Sequence, residues 1–326
     1  MRIHIQTQST PGTFPFTRDQ WNAACARAPD ISAGHEVTFG ETPQAFAEAM
    51  QTAEALISHK PLVKVLFPAP APHLRLIFCA NAGLDGLEPF DWLPPGATLL
   101  NNAGAHSVRA GEYGIMALLM LAGGMPGFAS AQREGRWAPF HGSVLAGRTV
   151  AVVGLGSLGG AVAGQAARFG MQVTGVRTRA EPHPDCTRVV AVSDLDTVLP
   201  GAEFVILATP LTEQTRNLLD RRRIGLLPAG AGVVNIGRGA LLDQDALCDA
   251  LDAGALGGAI LDVFVPEPVP PGHRLWATRN LVMTPHVSAD DPQTYNPNSL
   301  DIFFQNLRAL RDGTPLPNRF DMARGY

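Results

Sequence analysis

Three apolar runs in the second half of the chain each lead into an ionisable side chain. GVVNIG is followed by Arg238, GAILDVF passes Asp262 on the way to Glu267, and LVMTP is followed by His286. Short, wholly apolar runs are what strands buried on both faces require. In an open parallel sheet, ligands bind outside the carboxyl ends of the strands. Adjacent strands would therefore gather an arginine, a glutamate and a histidine in one crevice, a set that suits reduction of a 2-keto acid. A guanidinium offers a substrate carboxylate a planar, permanently charged fork. The ketone oxygen gains negative charge as hydride arrives and needs a proton donor, and histidine ordinarily titrates near neutrality. Glu267 beside the imidazole would favour its charged form and fix its tautomer, while Arg238 would also polarise the carbonyl. Taken singly, Glu267 between two prolines reads equally well as a solvated loop residue, and His286 as part of a turn.

The hydride source is suggested upstream. TVAVVGLGSLGGAVAGQAARFG runs from an apolar strand through Gly154, Gly156 and Gly159 as G-x-G-x-x-G into a helix rich in small residues, with Ser157 and Leu158 inside the motif. The glycines serve a tight turn, close backbone approach to a pyrophosphate, and close packing of helix on strand. The helix N-terminus presents free N–H groups to that anion. A second strand, MQVTGV, follows and ends at Arg177, 18 residues past Gly159. A carboxylate at this place hydrogen-bonds the ribose 2′-hydroxyl of NAD and would repel a 2′-phosphate. Arg177 and Arg179, with Thr178 between them, instead suit a phosphate held by charge-assisted bonds. The expectation is NADP, preferred over NAD; the plainer alternative is two solvated arginines on a loop.

These motifs need a scaffold. Six apolar runs from Thr149 onward, separated by helix-length segments, indicate a parallel sheet covered on both faces. Residues 1 to about 100 show a shorter rhythm of the same kind: RIHIQ, HEVTF, ALISH and LRLIFCA, with helices near 18–27 and 43–53. The stretch after His106 reads as one long apolar helix, buried over 114–129. A helical segment after Pro292, stopped at Gly313, is expected to return to the first domain. The fold class is thus α/β, with a Rossmann-type doubly wound domain inserted into a smaller one.

At 326 residues and 46% hydrophobic content the chain can bury a large core. Its net charge of -4, with Arg221 to Arg223 as the densest basic run, argues against a nucleic-acid partner and for a solvated helix face. Four dispersed cysteines, Cys25, Cys79, Cys186 and Cys248, suggest neither a disulfide framework nor a metal site. The opening MRIHIQTQST lacks the apolar core of a secretory signal. The apolar stretch near residue 120 is broken by Gly123, Gly124 and Pro126, short of the about 18 continuous residues that read as a membrane helix. A cytoplasmic protein without a membrane partner is expected.

The segments PPGATLLNNAGAHS, EYGIMALLM, VVGLGSLG, FVILATPLTEQTRNLL, VVNIGRGALLDQDAL, GAILDVFVPEPVP and MTPHVSA occur in an order that resembles the D-isomer-specific 2-hydroxyacid dehydrogenases, over nearly the whole chain. The resemblance implies a flavodoxin-like substrate domain of residues 1–101 and 291–326, with an NAD(P)-binding domain of 102–290 inserted. It implies catalytic Arg238 and a Glu267–His286 pair, with Arg238 and His286 both touching the substrate. Asp262 matches a contact to the carboxamide end of the cofactor. Thr209 and Pro210 match residues lining its nicotinamide side, and Ile236 and Gly237 match backbone contacts. NAGLDGL resembles the loop that holds the substrate carboxylate, which assigns the amides of Ala82 and Gly83. The helix after His106 resembles the family's dimer element, so a homodimer is expected. Arginine at position 177 resembles the NADP-using glyoxylate and hydroxypyruvate reductases.

His59 and Lys60, at the end of ALISH, are candidates for touching the distal part of a substrate, with surface roles as the alternative. Formate oxidation is disfavoured by Glu267, where formate dehydrogenases pair the histidine with glutamine. A phosphoglycerate dehydrogenase would commonly carry a further regulatory domain. Two other readings stand beside a small 2-keto acid reductase: a phosphite or other-substrate dehydrogenase of the same fold, and a dehydrogenase-like scaffold that senses the cofactor and recruits partners.

Overall fold

The computed structural model describes residues 1–7, 14–67 and 69–325; residues 8–10 of the opening segment discussed above lie outside them. The chain divides into two compact units, Met1–Ala105 with Asp291–Tyr326, and His106–Asp290.

The first unit opens with β1 (Arg2–Gln6), α1 (Arg18–Arg27), α2 (Pro29–Ser32), β2 (Glu36–Gly40), α3 (Pro43–Met50), β3 (Ala55–Ser58), α4 (Lys60–Leu66), β4 (Leu76–Cys79) and β5 (Thr98–Leu100). Local chemistry sets the helix starts. Thr17 and Gln20 form a reciprocal capping box before α1, and Thr42 accepts from the Ala45 amide before α3, which begins on a proline. The strands pair in parallel in the order β2-β1-β3-β4-β5. β3 and β4 are buried along their whole length, as their unbroken apolar sequence requires. The three-residue β5 is an edge strand that periodicity alone does not reveal.

The second unit contains α5 (Ser107–Ala122), α6 (Met125–Arg133), β6 (Thr149–Val153), α7 (Ser157–Arg168), β7 (Gln172–Arg177), β8 (Arg188–Ala191), α8 (Leu195–Val198), β9 (Phe204–Leu207), α9 (Arg221–Ile224), β10 (Gly232–Asn235), α10 (Gln244–Asp252), β11 (Gly258–Leu261) and β12 (Leu281–Met283). Its seven-stranded sheet has the order β12-β11-β10-β9-β6-β7-β8, with every pairing parallel. The order runs outward in both directions from β6, so the turn after β6 lies at the topological switch point. β8 is the strand missing from the six apolar runs: it is a half-exposed edge strand that begins with an arginine.

The expected single buried helix over 114–129 is corrected to two helices bent by 64°. Gly123 closes α5, Gly124 takes a left-handed φ of 72°, and Pro126 sits in the first turn of α6. Burial is also one-sided: Gly111 and Gly114 lie so close to α7 that a Cβ at Gly114 would fall 2.5 Å from Val162, whereas Met116, Leu119 and Met125 are exposed. Among the described residues, no single helix is long and apolar enough to cross a membrane.

The basic run forms α9 and is ion-paired. Arg221 reaches Asp249 at 2.7 Å, and Arg222 and Arg223 reach Asp196 at 2.6 and 2.7 Å. Those two guanidinium groups hold the Asp196 carboxyl at about 2. The chain then re-enters the first unit and ends with α11 (Tyr295–Arg311), whose Phe303, Phe304 and Leu307 belong to the same core as Ile3, Ile5 and Phe78.

Candidate active site

β10, β11 and β12 are parallel neighbours, with Asn235 beside Leu261 and Leu261 beside Met283. Their carboxyl ends therefore share one edge of the sheet, and the segments that follow carry Arg238, Glu267 and His286. Each segment is held by groups outside the ionisable set.

Asn235, fully buried at the end of β10, donates its amide to the Arg238 carbonyl at 2.9 Å and accepts from the Gly237 amide at 3.1 Å. That fixes the backbone around Arg238, whose guanidinium donates to the Gly237 carbonyl at 2.8 Å. Gly239 meets the next loop so closely that a Cβ would fall 2.2 Å from the Phe264 carbonyl carbon. The Arg238 and Glu267 segments are thus in backbone contact.

Glu267 uses both carboxylate oxygens. Oε1 accepts from the Phe264 amide at 2.7 Å and Oε2 faces His286 Nδ1 at 2.8 Å. A carboxylate only accepts, so Nδ1 carries the proton and Nε2 is the ring atom left to exchange a proton with a ligand. Gln244, at the start of α10, brackets the Glu267 loop by accepting from the Val265 amide at 2.9 Å and donating to the Val265 carbonyl at 2.8 Å.

His286 itself lies in the left-handed region, with φ 56°. Its amide donates to the carbonyls of Asp262 at 2.9 Å and Thr284 at 3.0 Å. The Asp262 side chain, 1% exposed, accepts from Thr284 Oγ1 at 2.6 Å and from the amides of Val287 and Ser288 at 2.9 Å each. Because Thr284 donates to Asp262, the Tyr113 hydroxyl, 2.6 Å away, donates to Thr284. A chain from Tyr113 through Thr284 to Asp262 therefore fixes the segment that carries the histidine.

The glycine-rich turn fits a dinucleotide on three separate counts. Gly154 has φ 96°, and a Cβ there would press the Ala208 carbonyl oxygen at 2.7 Å. At Gly159 a Cβ would stand 1.8 Å from the Gly154 carbonyl oxygen, so that glycine is required by helix packing. Gly156 differs: a Cβ there would meet nothing within 4 Å. Neither turn nor packing explains that glycine, whereas close approach of a pyrophosphate to an exposed backbone does. Ser157 and Leu158 open α7, and no side chain caps that helix start. Leu155 packs over Gly175 of β7, where a Cβ would fall 2.4 Å from its side chain.

Thr209 and Pro210 directly follow β9. Gly237 packs against them, since a Cβ there would lie 2.9 Å from the Thr209 carbonyl oxygen, and Ile236 is 3% exposed. Arg177 is the last residue of β7, half-buried and paired with Ala191, and Thr178 and Arg179 are exposed beyond it. Glu181 lies between the arginines, 3.7 Å from Arg177 Nη2 and 3.3 Å from Arg179 Nε.

In the first unit, Ala82 and Gly83 follow β4 in a loop braced by Asn81, whose Oδ1 accepts from the Lys60 amide at 2.7 Å. The Lys60 ammonium donates to the Asp85 carbonyl at 3.1 Å, bracing the same loop. His59 is 1% exposed and stacked on Phe16 with ring centroids 5.4 Å apart, and its Nε2 donates to the Phe14 carbonyl at 3.1 Å. Burial lowers its pKa. His59 is therefore enclosed rather than at the surface, and Lys60 braces the loop that carries Ala82 and Gly83.

Sequence reading missed Asn235, Gln244, Thr284, Tyr113 and Glu181. Asn235 left a trace, a polar residue closing an otherwise apolar strand. Gln244 and Tyr113 act across elements and left none.

A doubly wound domain with this turn at its switch point, and an arginine, a glutamate and a histidine at one strand edge, belongs to the nicotinamide-dinucleotide-dependent oxidoreductases. The sequence model described as "D-isomer specific 2-hydroxyacid dehydrogenase, NAD binding domain" matches residues 115–288, and the chain belongs to that family. Several curated relatives are D-3-phosphoglycerate dehydrogenases. The one from Mycobacterium tuberculosis is 29% identical over 99% of this chain and 59% of its own length. The chain spans about half the length of these proteins, from 43% to 59%. A glyoxylate reductase from Korarchaeum cryptofilum is 30% identical over 279 residues, 83% of each chain. Among solved structures, a D-isomer specific 2-hydroxyacid dehydrogenase from Xanthobacter autotrophicus Py2, in complex with NADPH and MES, is 30% identical over 99% of both chains, with a TM-score of 0.80.

Proposed function

We propose that this enzyme is an NADPH-preferring reductase of a small 2-keto acid, of the glyoxylate or hydroxypyruvate type, forming the D-2-hydroxy acid. The observation that carries the reading is the 2.8 Å contact of His286 Nδ1 with Glu267 Oε2, on the edge that also bears Arg238. The glyoxylate reductase relative and the NADPH-bound structural relative support the substrate class and the cofactor.

The nicotinamide of the bound cofactor supplies hydride to the keto carbon or takes it from the hydroxy acid. Arg238 grips the substrate carboxylate with its fork and draws electron density toward the carbonyl oxygen. Glu267 holds the Nδ1 proton, so a protonated His286 delivers its Nε2 proton to that oxygen as charge develops there. In the reverse direction neutral His286 takes the hydroxyl proton at Nε2. Asp262 holds the backbone segment that carries His286; on the family resemblance the same residue contacts the carboxamide end of the cofactor. Thr209, Pro210, Ile236 and Gly237 are assigned to its nicotinamide side, Gly154 to Gly159 to the pyrophosphate, and Arg177, Thr178 and Arg179 to the 2′-phosphate. Ala82 and Gly83 are assigned to the substrate carboxylate.

The exposed Met116, Leu119, Met125, Trp137 and Phe140 are assigned to a homodimer contact. Four free thiols support a reducing compartment, the cytoplasm. The test is a substrate panel with NADPH: glyoxylate, hydroxypyruvate, the 2-keto counterpart of 3-phosphoglycerate, and phenylpyruvate. The proposal expects the highest kcat/KM with one of the first two. A clear preference for the phosphorylated acid would instead align the chain with its phosphoglycerate dehydrogenase relatives.

A further inference from the structure

Glu181 sits where the proposed 2′-phosphate seat would need cations only. Its carboxylate lies 3.7 Å from Arg177 Nη2 through Oε2 and 3.3 Å from Arg179 Nε through Oε1. The position is built. The Glu181 amide donates to the Arg179 carbonyl at 2.8 Å, closing a tight turn that folds the side chain back toward the end of β7. Beyond Pro182 the chain is tied to α7. His183 accepts from the Asp185 amide at 3.3 Å, and its Nε2 lies 3.3 Å from the place a Cβ of Gly160 would take. Cys186 lies over Gly175 of β7, with Sγ 3.0 Å from the place of a Cβ there. Both ends of the 178–186 segment are anchored on β7 and α7, while the Glu181 side chain itself is exposed and free to turn.

We infer that Glu181 is an internal competitor for the cofactor phosphate and sets how strongly NADPH is preferred over NADH. The inference rests on the reading of Arg177 and Arg179 as the 2′-phosphate seat. A bound phosphate takes the two guanidinium groups, and Glu181 must swing out of both ion pairs while a second negative charge arrives beside it. NADH brings no phosphate and leaves both pairs intact. The carboxylate therefore penalises NADPH and spares NADH, and so tempers a preference that the arginine pair alone would make steeper. Exposed ion pairs are individually weak and screened by salt, so the expected effect is roughly 2-fold to 10-fold.

The test is direct titration of the full-length enzyme with NADPH and with NADH, followed by nicotinamide fluorescence, for wild type, Glu181→Gln and Arg177→Ala. Glutamine keeps the shape and removes the charge. The expected result is that Glu181→Gln tightens NADPH by roughly 2-fold to 10-fold at low salt and leaves NADH within about 2-fold, while Arg177→Ala weakens NADPH. Unchanged or weaker NADPH binding in Glu181→Gln, beside a weakened Arg177→Ala, would overturn the competitor role and leave the phosphate seat standing. Equal tightening of both cofactors would also overturn it, since that marks a general charge effect. Unchanged NADPH binding in Arg177→Ala would overturn the phosphate seat, and the inference with it.

Discussion

His286 Nδ1 and Glu267 Oε2 lie 2.8 Å apart, and the other oxygen of the same carboxylate is bound to the Phe264 amide at 2.7 Å. The glutamate is thus clamped to its own loop while it aims the imidazole. Glu267→Gln leaves one acceptor oxygen for two donors, the Phe264 amide and Nδ1, and removes the carboxylate charge. We expect kcat for keto acid reduction to fall roughly 10-fold to 100-fold, part of what general acid catalysis supplies. Steady-state kinetics with saturating NADPH check this; an unaltered kcat would leave Glu267 with only a structural part.

Gly239 separates the Arg238 and Glu267 segments by nothing but backbone. A Cβ there would fall 2.2 Å from the Phe264 carbonyl carbon, with no flexible side chain to yield. Gly239→Ala must push the two segments apart, at a cost of about 1–3 kcal/mol in stability. A displaced arginine should also lower kcat/KM for the keto acid at temperatures well below the variant's thermal midpoint. Thermal unfolding and steady-state kinetics on the same preparation separate the two effects.

The Tyr113–Thr284–Asp262 chain gives a third expectation. Thr284→Val keeps the shape, removes one donor from the buried Asp262 carboxylate and leaves the Tyr113 hydroxyl without its acceptor. The loss should be about 1–3 kcal/mol, read from denaturant midpoints. Tyr113→Phe should cost less, because it removes a donor to Thr284 without stranding Asp262. A larger loss in the tyrosine variant would contradict this ordering.

Stability should also fall on acidification. His4 and His59 are each 1% exposed, and burial lowers both pKa values below the ordinary 6.5. Below 6.5 the unfolded chain binds protons that the folded chain still refuses, so this contribution to stability is complete above 6.5 and is lost as pH falls below it. Urea midpoints should drop between about pH 7 and pH 5, and His59→Gln should show a shallower drop over the same interval. A midpoint that stays level in the wild type would contradict this account.

Much of this architecture is legible in the sequence because parallel strands buried on both faces are unbroken apolar runs, and in such sheets ligands bind beyond the carboxyl ends. Arg238, Glu267, His286 and the glycine turn are all singled out that way as candidates. What escapes is what depends on partners distant in sequence. β8 is half-exposed and begins with Arg188, so it carries no apolar signature. The bend between α5 and α6 shows as Gly123, Gly124 and Pro126, but its size depends on packing against α7. His59 reads as a candidate ligand at a strand end until Phe16 and the Phe14 carbonyl are seen to enclose it. Glu181 is invisible beside the arginine pair because only the turn at residues 179–181 brings its charge back to them.

The most direct test of the central claim is NADPH oxidation with hydroxypyruvate and with glyoxylate, wild type measured beside His286→Asn. The account predicts turnover by the wild type with formation of the D-hydroxy acid, and a loss of roughly 100-fold to 10,000-fold in kcat for the variant while NADPH still binds. Equal rates in the two proteins, or no wild-type turnover with either acid, would contradict it.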